Sequence, residues 1–121
     1  MQPTENKGLV KTFNGIGLAK HRLVKFATGD HTVEVATAAT HFAIGATDEI
    51  GSHDNGRVDV VLDGIVYVEA SAAIARGAKI TAAAGGKAVT AAADNKAAGW
   101  AMSPADADGD LIAVYLERTT A

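Results

Sequence analysis

The sequence predicts a mainly β, small single-domain fold of the β-barrel, β-sandwich or β-clip-like kind, with at most one short helix and an extended N-terminal arm. Three observations predict it. Runs rich in Val, Ile, Tyr and Phe are short, glycine-containing turn signals separate them every eight to twelve residues or so, and paired glycines interrupt the alanine-rich stretches before a helix of useful length can form. At 121 residues the chain holds one hydrophobic core. Ala dominates the apolar fraction, and only three Phe, two Tyr and one Trp supply large anchors. Such a core is thin, and folds of this kind gain stability by association.

Residues 1–20 are read as the arm and residues 21–121 as the β-rich domain. From Met1 to about Gly17 the apolar points are Leu9, Val10, Phe13 and Ile16, with Gly8, Gly15 and Gly17 between them and no sustained period. This segment is expected to order on contact with a partner. Over residues 1–25 five basic residues face one acidic residue, a net +4, and the remainder carries six basic against thirteen acidic, a net −7. The split predicts that Lys7, Leu9, Val10, Lys11 and Phe13 bind an acidic protein surface. Direct nucleic-acid binding is not expected, because an acidic body repels phosphates and the arm lacks interleaved aromatics.

His21–Phe26 and Thr32–Ala36 read as strands around the turn Thr28-Gly29-Asp30. Phe42 and Ile44 are apolar points before Gly45, and Gly51–Gly56 reads as a loop. Arg57–Ala70 places two β-branched runs on either side of Asp63-Gly64. That pattern predicts a hairpin with a type I′ turn, pairing Leu62 with Ile65 and Val60 with Tyr67. Ser71–Gly77 allows one helical turn at most. Ala78–Ala83 and Ala88–Ala92 predict a second hairpin across Gly85-Gly86, where Thr81, Val89 and Thr90 favour strand over helix. Gly99–Met102 reads as a buried strand with Trp100 in the core. Ser103–Asp110 is a turn-rich acidic loop, and Leu111–Arg118 a strand buried on both faces.

No catalytic constellation emerges, and no cofactor or metal is expected. Asp106, Asp108, Asp110 and Glu117 have the spacing of a calcium loop, but Leu111 stands where the sixth-position glycine is required. His21, His31, His41 and His53 are spread along the chain without a shared element face. Gly15-Ile16-Gly17 lacks a preceding strand and a third glycine. Gly86-Lys87 lacks the rest of a phosphate loop, and none of Ser52, Ser71 and Ser103 sits in a nucleophile elbow. There is no cysteine, no secretory pattern at the start and no apolar stretch long enough to span a membrane, so synthesis in a cytoplasm is expected.

From His21 onward the order of short motifs is specific. His21-Arg-Leu-Val-Lys-Phe26 is followed by Phe42-Ala-Ile-Gly45, Gly56-Arg-Val-Asp-Val-Val61 and Gly64-Ile-Val-Tyr-Val-Glu69. Ile74-Ala-Arg-Gly77, Gly86-Lys-Ala-Val89, Gly99-Trp-Ala101 and Gly109-Asp-Leu-Ile112 complete the series. In this order the chain resembles the capsid decoration, or cement, proteins of tailed bacteriophages over its last hundred residues or so, and the first twenty match poorly. The resemblance implies a non-enzymatic virion protein on the outer surface of the head, commonly a homotrimer. Its partner would be the major capsid protein, whose neighbouring subunits it cements in the expanded, DNA-filled shell. The composition equally permits a β-rich oligomerisation or spike module of a tail or surface assembly.

Overall fold

A computed structural model describes residues 6–120, with side chains described from Gly8 to Glu117. Nine strands follow in chain order: β1 (Asn6–Asn14), β2 (Leu23–Phe26), β3 (Val33–Val35), β4 (Gly45–Ser52), β5 (Arg57–Glu69), β6 (Lys79–Ala82), β7 (Ala88–Thr90), β8 (Lys96–Ala101) and β9 (Leu111–Thr120). They form one curled antiparallel sheet in the order β3-β2-β4-β5-β9-β8-β6-β7, with β1 added to β5. A 3-10 turn at Ala84–Gly86 joins β6 to β7, and Gly85 and Gly86 both hold positive φ there, as the predicted second hairpin requires. The β2–β3 hairpin also forms where expected, pairing Val24 with Val35 and Phe26 with Val33.

β5 is the spine, and here the structure corrects the sequence reading. No hairpin forms at Asp63-Gly64: residues 57–69 are one strand, and the expected pairs of Leu62 with Ile65 and Val60 with Tyr67 do not exist. A type I′ turn needs two successive residues at positive φ. Gly64 has φ 98°, but Asp63 is not among the positive-φ residues, so the chain makes a bulge instead of reversing. The bulge shifts the side-chain alternation: Val61 shares its core with Val66 and Val68, five and seven positions on. It also changes neighbours. β1 and β4 both register at Val60 and Val61 and so occupy opposite edges. β1 and β9 both register at Gly64 and Ile65, so β9 takes over the edge that β4 leaves.

The apolar residues fall into two cores. The larger combines Leu23, Val61, Val66, Val68, Ile80, Ile112, Val114 and Leu116 with many alanines. The smaller combines Phe13, Val24, Val33, Ile44, Val58 and Val60, with Leu18 and Leu62 packed on it. Small side chains let the sheet curl tightly. At Gly99 a Cβ would overlap the Tyr115 carbonyl oxygen, and at Gly45 it would overlap that of Val61, so neighbouring backbones close on positions only glycine can fill.

Three further expectations are corrected. Residues 6–14 sustain a strand after all, and the arm expected over residues 1–20 is, from Asn6 onward, tied to the sheet. Gly15 N–H donates to Gly56, Leu18 N–H to the Ser52 hydroxyl, and Ser52 N–H to the Leu18 carbonyl. The expected loop at Gly51–Gly56 begins two residues later, because β4 runs through Ser52. β9 is buried mainly on one face, with Leu111, Tyr115 and Glu117 exposed and Ile112, Val114 and Leu116 buried.

Candidate functional site

The residues expected to contact a partner are divided by β1. Leu9 and Val10 are 55% and 41% exposed and Lys11 is exposed, whereas Phe13 is 5% exposed and belongs to the small core, edge-on to Phe26 with ring centroids 6.2 Å apart. Lys11 Nζ lies over the Phe13 ring, 6.0 Å from its centroid. The side chain of Lys7 lies outside the described residues. The strand period explains part of the split, placing Val10 on the face opposite Phe13, whereas Lys11 shares the face of Phe13 and is exposed because its long side chain carries the ammonium out over the ring.

A second surface was not expected. On the outer face of the sheet, cross-strand pairing aligns Ile65 with Tyr115, Tyr115 with Trp100, and Trp100 with Lys79. Leu111 on β9 and Met102 just beyond β8 add exposed apolar area beside this row. Trp100, read from the sequence as core, is 36% exposed and Tyr115 44%. The indole is held in place: its Nε1–H donates to Glu117 Oε1 at 2.6 Å, and Lys79 Nζ sits 5.2 Å from the ring centroid. Rigid, partly exposed Trp, Tyr and Met side chains are the composition of protein interfaces. The signal was present in residues 111–117, where Leu111, Tyr115 and Glu117 share one period-2 face that ends in a charge.

Beside the row, charged groups tie loops to the end of β5. Arg22 Nη2 lies 3.3 Å from Glu69 Oε1, and its Nη1–H donates to the Gly85 carbonyl at 2.9 Å. Lys87 Nζ reaches Asp108 at 2.9 Å and Glu69 at 3.1 Å, and the hydrogen bonds to Asp108 and then Glu69 raise its pKa above the ordinary lysine value. The acidic loop folds back on itself, with the Asp110 carboxylate accepting the N–H groups of Asp106 and Ala107. His21 is buried at φ 58°, its Nδ1 3.3 Å from the Tyr67 carbonyl. Among the described residues no group of three His, Asp or Glu is placed to hold a metal ion, and no helix is long and apolar enough to cross a membrane.

The geometry is thus that of a small sheet presenting contact surfaces. A similar fold occurs in a crystal structure of the N base of head fiber gp8.5 in bacteriophage phi29, with a TM-score of 0.72 and 20% sequence identity, covering 93% of this chain and 97% of that one. At that identity the likeness is one of fold. Among curated proteins nothing matches the chain. The phage cement protein family matches residues 4–116, which takes in β1 and corrects the expectation that the first twenty residues fit the family poorly. With the match running through almost the whole chain, the protein belongs to the phage cement protein family and is a phage structural protein.

Proposed function

We propose that this protein binds the outer surface of the phage head and cements neighbouring major capsid protein subunits, stabilising the expanded, DNA-filled shell without catalysing any reaction. The observation that carries the reading is the family match over residues 4–116. Two features support it. The row Ile65–Tyr115–Trp100 offers a preorganised apolar contact beside the free edge of β1, and the acidic body suits a position away from packaged DNA. The head fiber N base, built on a similar fold, supports a seat on the head. A thin, alanine-rich core further supports assembly as a homotrimer on the shell.

A clamp that binds only the expanded shell stabilises it by mass action, more strongly when several subunits are engaged at once. The test is co-sedimentation of purified protein with empty heads before and after expansion, followed by thermal disruption of the decorated heads. Binding restricted to expanded heads, with a raised disruption temperature, is the expected result. Failure to bind either form would favour the spike or oligomerisation module of a tail or surface assembly.

A further inference from the structure

β1 lies on one edge of β5, and among the described residues no second strand pairs with its other edge. That outer edge is closed only at its end, where the Asn14 N–H donates to the His31 carbonyl at 2.7 Å and Asn14 bridges Thr32. The register with β5 is unbroken from Val10 to Asn14, so the outward bond at Asn14 fixes the rest of the strand. In an antiparallel pair the backbone groups of alternate residues point to the same edge. Val10 and Thr12 therefore present N–H and C=O outward, while Lys11 and Phe13 bond towards β5. Such an edge is a template for a strand from another chain.

We propose that the outer edge of β1 takes an extended, acidic segment of a capsid subunit as an added strand, paired to the backbone of Val10 and Thr12; this rests on the capsid-binding reading above. Charge selects the occupant. Lys7 and Lys11 lie on the strand itself, so an acidic segment is attracted and a basic one repelled. A second copy of this chain fits less well. Its own β1 carries the same lysines, and the strands at the two ends of the sheet, β3 and β7, have three residues each. The exposed Leu9 and Val10 give the incoming strand apolar area to cover.

Proline tests the edge without breaking the fold, because at position 10 it removes an N–H that points away from β5 and edge strands tolerate it there. Val10→Pro should keep the wild-type melting temperature and lose at least about tenfold in affinity for expanded empty heads, whereas Val10→Ala, which keeps the N–H, should stay within about threefold. Equal binding by wild type and Val10→Pro would remove the added strand and leave the capsid-binding reading intact. Heads that do not bind even the wild type would take down that reading and this occupant together. A second readout needs no variant: the Val10 and Thr12 amides should exchange quickly in free protein and become protected on decorated heads. Unprotected amides there would overturn the pairing. An oligomer of the free protein that Val10→Pro dissociates, with head binding kept, would assign the edge to a second copy and overturn it equally.

Discussion

Residues 57–62 and 65–69 of β5 carry the same kind of side chain, valines alternating with polar or larger groups, yet they are held in different ways. Val58 and Val60 enter the small core, where Phe13, Val24, Val33 and Ile44 meet them with bulky groups and where β1 and β4 flank the strand on both edges. Val66 and Val68 enter the large core, where alanines predominate and β9 flanks one edge. The first half is stabilised by side-chain volume, and the second by how closely backbones approach. An added atom should therefore hurt most in the large core, and a missing one most in the small core.

Gly99→Val should have the largest effect. Even a single Cβ overlaps the Tyr115 carbonyl, so a branched side chain must force β8 away from β9, at about 4 kcal/mol or more. Soluble yield and a denaturant melt would register it, and a near-wild-type melt would mean that the strands are not in contact there. Phe13→Ala should follow, at about 3 kcal/mol, because it removes the one ring of a core with few members. Its signature is local. Amide protection should fall along β1 and residues 58–60 while residues 66–68 keep theirs, and a uniform loss would show that the two cores unfold as one unit.

What the sequence revealed divides along the same line. Local signals marked β2, β3, β6 and β7, because turn glycines flank β-branched runs whose partners lie close in the chain. β4 was invisible: Gly45–Ser52 has no alternation, carries Asp48 and Glu49, and becomes a strand because β5 and β2 pair with it on either side. β1 was missed for the same reason, since its pairing partner lies some fifty residues away in the chain. Of the candidate contact residues, Leu9, Val10 and Lys11 are exposed, while Phe13 carried no mark that distinguished core from contact. Trp100 was misread because an aromatic in a thin core is ordinarily the core itself, and only cross-strand register puts it on the outer face with Tyr115.

Gly64→Val addresses the joint between the two halves. A β-branched residue at φ 98° is strained, and the change should cost about 1–3 kcal/mol. Strain at a bulge and strain at a tight turn cost alike, so stability alone does not separate them. Amide exchange does. With a continuous β5, protection spans residues 60–68 in wild-type protein and weakens on both sides of Gly64 in the variant, whereas a reversal would leave the turn amides unprotected from the start.

The smallest effect is expected where the second half ends. Lys87 Nζ joins Glu69, the last residue of β5, to Asp108 in the acidic loop, and its pKa is raised because both carboxylates accept its hydrogen bonds. A lysine whose pKa is higher folded than unfolded stabilises the fold fully below the ordinary lysine range and loses that contribution as pH rises through the folded value. Lys87→Met should therefore lower the melting temperature slightly at neutral pH, and the gap to wild type should close as the solution becomes strongly alkaline. Because Asp108 is exposed, salt should narrow the same gap at neutral pH. A gap that persists through both changes would mean that the lysine acts through packing of its aliphatic stem. The end of β5 would then depend on packing, as its first half does, and not on charge.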